Sequence, residues 1–142
     1  MLAAGTDKPF VFTVHNIAFH GNAPADQLEA LELNADRFTP DKFEYWGKIS
    51  ALKAGLMAAD KINTVSQTYA DELLTPEFGL GMDGVMRTRH TDLSGILNGI
   101  DLDVWNPTTD PYITVYKNPS EKTANKRALR KEFGLGPAKG PL

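Results

Sequence analysis

No cysteine occurs in the 142 residues. A disulfide scaffold, a thiolate zinc site and a cysteine nucleophile are therefore excluded for this stretch of chain, and the composition suits a reducing cytoplasm. Charge of one sign is lacking too: 15 Lys and Arg against 18 Asp and Glu give a formal net charge of −3. That balance offers no electrostatic footprint for nucleic acid or for an anionic membrane. No apolar run reaches the roughly 18–20 residues that a membrane-spanning helix needs. The first ten residues have no apolar core of the kind a secretory signal carries. Repeats and low-complexity tracts are absent as well. What is present is a chain with 42% hydrophobic and 23% charged residues, the make-up of one globular domain of ordinary size.

The run from Lys8 to His15 is apolar, aromatic and β-branched. It predicts a strand apolar on both faces, as in a parallel sheet covered by helices. Gly21 and Pro24 mark a loop, after which 26–38 has room for one short helix. Thr39-Pro40-Asp41 is a helix start, and Phe43, Trp46, Ile49, Leu52, Leu56 and Ala59 recur at three- and four-residue steps, which predicts one helix ending near Asp60. Lys61 to Val65 predicts a second strand, and Ser66 a cap for a helix over 67–74. Pro76, Gly79, Gly81 and Gly84 predict a loop over 75–89. Leu93 to Leu97 predicts a third strand, followed by the turn dipeptide Asn98-Gly99.

Prolines at 107, 111 and 119 mark an ordered linker, with Val104, Trp105, Tyr112, Ile113, Val115 and Tyr116 as its expected anchors. Ser120 is the expected cap of a charged helix reaching Phe133, with Gly134 as its stop and Pro137 just beyond. The alternation of strands and helices predicts an α/β layer built on a parallel sheet. Three short strands leave unpaired edges. The layer thus reads as part of a larger doubly wound domain, cut at both ends, with edges through which copies can self-associate.

Ligands of open parallel sheets sit beyond the carboxyl ends of the strands. Thr13-Val14-His15-Asn16 ends the first strand there, with an imidazole and a carboxamide that can hydrogen-bond sugar hydroxyls. The residue types alone equally fit a buried His15 tied to a backbone carbonyl. Asn98, after the third strand, fits the same rim or a plain turn. The glycines of Phe78 to Gly84 could form an anion-binding loop, but no Walker lysine follows them, which favours a plain loop. His15 and His20 stand five apart without cysteine or helical spacing, which makes no metal site.

Four segments taken together resemble glycosyltransferase family 5, the bacterial glycogen synthases and plant starch synthases. They are Phe12 to Gly21 (FTVHNIAFHG), Leu52 to Ala70 (LKAGLMAADKINTVSQTYA), Thr75 to Gly84 (TPEFGLGMDG), and Gly95 to Asp101 (GILNGID) with Val104 to Pro107 (VWNP). Their order and spacing run from Lys8 to Leu135. The resemblance implies transfer of glucose from ADP-glucose to the non-reducing end of an α-1,4-glucan, with retention, in the cytoplasm and without metal or other cofactor.

It also implies a fold: a partial Rossmann-like layer equivalent to the later half of the N-terminal domain of a GT-B enzyme. Residues 1–103 would form that half-domain, 104–119 the interdomain linker, and 120–142 the helix leading into a second domain. By position, His15 is the catalytic contact to the transferred glucose, Asn16 lines the sugar site, and Asn98 reaches the sugar from the opposite rim. His20 stands where the family commonly has glutamine, and Gln67 where it has proline. The family's N-terminal lysine-and-glycine loop, its phosphate-binding arginine and lysine, and an acidic residue near the donor sugar fall outside the 142 residues. Without those cations the diphosphate loses its charge-assisted contacts, so this chain alone is expected to be inactive. Two other readings stay open: a non-catalytic glucan-binding or regulatory module, and a glucosyltransferase using another donor nucleotide.

Overall fold

In a computed structural model, residues 8–136 are described. Residues 1–7 and the tail from Pro137 lie outside the described residues. The chain divides into two compact units, 1–98 and 99–142.

The first unit holds two small sheets. β1 (Val11–Val14), β5 (Lys61–Thr64) and β6 (Leu93–Gly95) are parallel in the order β1-β5-β6, with Val14 opposite Thr64 and Thr64 opposite Gly95. β2 (Asn22–Pro24), β3 (Glu44–Tyr45) and β4 (Lys48–Ser50) form an antiparallel sheet ordered β2-β4-β3. Helices α1 (Ala51–Ala58), α2 (Gln67–Glu72), α3 (Pro76–Gly79) and α4 (Asp83–Thr88) complete it. Val14, Ile17, Leu52, Leu56, Ile62, Leu73, Met82 and Met86 form one core cluster. Each large side chain fully buried there contributes about 1.5–3 kcal/mol. Phe43, Ile49 and Ala54 form a second cluster around the antiparallel sheet.

Several expectations change. β1 is not apolar on both faces in use: Phe12 and Val14 face the core, whereas Thr13 is exposed and Val11 is 57% exposed. The other face carries the polar row Thr13, Asn63 and Ser94 in register. The long helix from Thr39 to Asp60 is instead a hairpin followed by an eight-residue helix. Trp46 and Gly47 take positive φ (50 and 76), which breaks any helix there. Ser50 then caps α1, its Oγ accepting from the Lys53 N–H at 3.2 Å. The helical spacing arose because hairpin residues Phe43 and Ile49 serve one cluster and helix residues Leu52 and Leu56 the other. The helix expected within 26–38 is replaced by two short 3-10 turns, Ala25–Gln27 and Ala35–Arg37. The expected loop over 75–89 contains α3 and α4.

The second unit is held by local polar contacts. Asp101, Asn106 and Asp110 side chains each accept from backbone N–H groups two residues on. Asn125 exchanges two hydrogen bonds with Thr114, at 2.8 and 2.6 Å. Trp105 and Tyr112, expected as anchors, are 71% and 94% exposed. Asn118, rather than Ser120, heads the final helical segment, a 3-10 turn Pro119–Lys122 running into α5 (Thr123–Glu132). Glu121 accepts from the Lys117 and Asn118 N–H groups, which hold its carboxyl below the usual carboxylate range. Gly134 ends the helix at φ 62.

One cation ties the first unit together. The Arg89 guanidinium donates to the Leu56 and Ala59 carbonyls at the end of α1, at 2.6 and 2.5 Å, and to Asp92 Oδ2 at 3.1–3.2 Å. A positive group at a helix C-terminus meets both unpaired carbonyls and the negative end of the dipole. Lys61 Nζ reaches Asp92 Oδ1 at 2.7 Å, so the same carboxylate joins β5 to this hub. Arg89→Met, which keeps the stem and removes the donors, is expected to cost about 2 kcal/mol in chemical denaturation. The hydrogen bonds from Lys61 first and Arg89 second hold the Asp92 carboxyl below its ordinary value of 3.8. Its contribution is therefore full above the unfolded pKa and fades as pH falls through the lowered folded one. In thermal melts, Asp92→Asn should lie below the parent at neutral pH, and the gap should close as pH drops below 3.8.

Candidate functional site at the carboxyl edge

Val14, Thr64 and Gly95 end their strands side by side. Strand spacing of about 4.8 Å sets β1 and β6 on the order of 10 Å apart across β5. The buried Thr64 hydroxyl donates to the Val14 carbonyl at 2.6 Å, which fixes where β1 stops. The chain then turns sharply. Asn16 Oδ1 accepts from the Ala18 N–H at 2.9 Å, and the Ile17 N–H donates to the Tyr69 hydroxyl of α2 at 3.1 Å. Ile17 is 2% exposed, so the turn is anchored by burial as well.

His15 sits between these two ties. It is exposed, and its ring makes no hydrogen bond among the described residues. The reading of His15 as a buried, carbonyl-bound histidine is thereby overturned. Asn16 is exposed too, with its oxygen committed to the turn and its amide NH2, unpaired among the described residues, available as a donor. On the far strand, the Ile96 N–H donates to the Thr64 carbonyl at 2.8 Å, and Asn98 follows two residues later, exposed and without a side-chain partner among the described residues. All three residues follow the carboxyl ends of β1 and β6, and none is joined to another by a hydrogen bond. An imidazole and a carboxamide are both able to donate to and accept from hydroxyl groups.

Two contributors were not singled out from the sequence. Tyr69 positions the turn after His15, and the signal lay in its place one turn into a Ser66-capped helix. Gly95 lets α2 approach β6: a Cβ there would collide with the backbone of Ser66 and Gln67. The glycine-rich segment is explained by packing. Gly81 stands at φ 86, and a Cβ on it would strike the Tyr45 hydroxyl. His20 also meets Tyr45, edge to face, with ring centroids 5.3 Å apart.

Parallel strands joined through helices make the first unit an α/β layer. Residues 2–88 match the starch synthase catalytic domain family. The chain belongs to that family. It is 64% identical to a glycogen synthase of a Jannaschia species over 97% of this chain and 29% of that protein. It is 59% identical to the glycogen synthase of Paracoccus denitrificans over 96% of this chain and 28% of that protein. Among solved structures it is similar to the catalytic domain of starch synthase IV from Arabidopsis thaliana bound to ADP and acarbose, with a TM-score of 0.65, 34% identity, and 93% of this chain and 28% of that chain covered. The chain therefore spans less than a third of the length of these relatives. His15 and Asn16 lie within the family match, whereas Asn98 lies beyond residue 88 and within the longer similarity to the relatives. Among the described residues no helix is long and apolar enough to cross a membrane.

The contact at Gly95 is backbone on backbone, so no side chain can swing away. Gly95→Ala is expected to destabilise the chain by about 1–3 kcal/mol. Denaturant titration would measure that, and a midpoint equal to the parent's would show that α2 does not depend on the close approach.

Proposed function

We propose that this chain forms one lip of the sugar site of a retaining α-1,4-glucan synthase that uses ADP-glucose. His15 contacts the transferred glucose near the reacting carbon, and Asn16 and Asn98 hold its hydroxyls from either side of β5. The observation that carries the reading is the exposed imidazole of His15, without a hydrogen-bond partner among the described residues and set at the end of β1 with ties on both sides of it. Transfer with retention develops positive charge on the sugar and negative charge on the departing ADP. Pre-placed hydrogen bonds that strengthen as those charges grow lower the barrier. His15 serves as such a contact and no proton transfer need be assigned to it.

On this reading the chain by itself does not catalyse, since the cations that would hold the diphosphate belong to other parts of a full-length synthase. The polar row on β1, β5 and β6, with Thr13 and Ser94 exposed and the buried Asn63 Oδ1 lacking a hydrogen-bond partner among the described residues, supports a layer that works as part of a larger domain. The outer edges of β1 and β6, unpaired among the described residues, support self-association of the isolated chain. Cytoplasmic location fits the cysteine-free composition.

The test is a chimera. This chain replaces the matching segment of the Jannaschia glycogen synthase, and glucosyl transfer from ADP-glucose to glycogen is measured. The chimera should be active and the chain alone silent. His15→Ala in the chimera should lower kcat on the order of 10²-fold with an unchanged circular dichroism spectrum. Near-parental turnover would remove His15 from the site.

A further inference from the structure

The β3–β4 hairpin presents one side chain against two local rules. Trp46, at φ 50, is 86% exposed. With Gly47 at φ 76 it makes the two-residue loop beyond the last ladder pair, Tyr45 with Lys48. Such loops need positive φ at both positions and favour Asn, Asp or Gly at the first. A bulky aromatic there is an outlier, and at this exposure the indole gains little from burial. Residues held so persist where the surroundings over-determine them, and they gather at ligand contacts.

The mount of this ring is rigid. Glu44 Oε1 accepts from the Gly47 N–H at 2.6 Å and closes the turn. The buried Lys53 donates its Nζ to the Glu44 carbonyl at 2.7 Å, tying the hairpin to α1. Tyr45 is clasped by His20 on one side and by the space above Gly81 on another. Both residues preceding Trp46 are therefore fixed by three other chain segments, and the ring stands on a platform that needs no reordering to receive a ligand.

The surroundings select the ligand class. One exposed indole at the hairpin tip, with Glu44 and Lys48 close to it in sequence, falls far short of the roughly 800 Å² per partner of a stable protein interface. A net charge of −3 gives no phosphate-neutralising surface for stacked bases. A pyranose has one C–H face to lay on an indole and a rim of hydroxyls that a carboxylate and an ammonium can bind. We propose that Trp46 is a stacking platform for a glucose unit of an α-1,4-glucan, carried on a different sheet from His15. The choice of glucan rests on the reading of the carboxyl edge given above; the existence of a platform rests on Trp46 itself.

The experiment uses the full chain with Trp105→Phe, which leaves Trp46 as its one tryptophan. Maltoheptaose should shift the indole N–H resonance saturably, and His15→Ala should leave that shift in place. In the otherwise unsubstituted chain, Trp46→Asn should melt at a higher temperature, because Asn suits the loop, and should weaken retention by glycogen in affinity electrophoresis at least fivefold. Trp46→Phe should keep part of the retention. Parental retention by Trp46→Asn overturns the platform, as does an indole resonance that maltoheptaose leaves unmoved. A shift caused by an oligothymidylate and not by maltoheptaose overturns it in favour of base stacking. Loss of transfer in the His15→Ala chimera together with parental glycogen retention by Trp46→Asn leaves the edge reading standing and removes this one. The opposite pair of results does the reverse.

Discussion

The flush ending of three parallel strands is the constraint on which the remaining features depend. The hydrogen bond from the buried Thr64 hydroxyl to the Val14 carbonyl sets that ending for β1, and the Ile96 N–H on the Thr64 carbonyl sets it for β6. A slip of one residue in either strand would exchange its core and exposed faces. Phe12 and Val14 would then leave the cluster that Leu56, Ile62 and Leu73 close, so register is enforced by burial as much as by the ladder. His15 is exposed for the same reason. It follows Val14 at the point where the pleat ends, and the turn fixed by Tyr69 and Ile17 carries the chain back toward the core.

The second sheet shows how close backbone approach and positive φ shape the rest. Gly81 makes room for the Tyr45 hydroxyl, and Gly95 makes room for the start of α2. Gly79 and Met82 N–H groups are both used within their own segment, on the Thr75 and Gly79 carbonyls. A glycine-rich run here means elements packed at short range, and the two helices α3 and α4 fit between Thr75 and Arg89 because those glycines permit the turn between them.

Legibility in the sequence followed the range of the interactions. The three parallel strands and the Ser66-capped helix were readable because their signals are local: β-branched runs and a hydroxyl before a helical segment. The stretch 39–60 was misread because two different clusters happened to draw on residues three and four apart, and the decisive local fact was Gly47 beside a Trp that takes φ 50. Sequence periodicity has no means of saying which core each apolar residue serves. The linker anchors failed in a related way. Val104, Trp105 and Tyr112 are apolar by type, yet the second unit is held by Asx-type turns and the Asn125–Thr114 pair. At the candidate site, His15, Asn16 and Asn98 were visible as residue types at strand ends. The Tyr69 tie and the Gly95 contact were not, because both link segments 28 or more residues apart.

In the proposed role, the openness of the edge sets the energetics. His15 and Asn98 are exposed, so each hydrogen bond they would make to a sugar would replace one to solvent and yield on the order of 1 kcal/mol. Three such contacts would bind a sugar weakly and discriminate little between ground and transition state. The same groups become strong once a second wall excludes water and lowers the local dielectric, because the charge that develops on the sugar and the leaving group then meets fixed dipoles at close range. Rigidity is the property this chain can supply in advance. The Thr64, Tyr69 and Gly95 contacts supply it at the strand ends, and they leave the stabilising of charge to whatever closes over the edge.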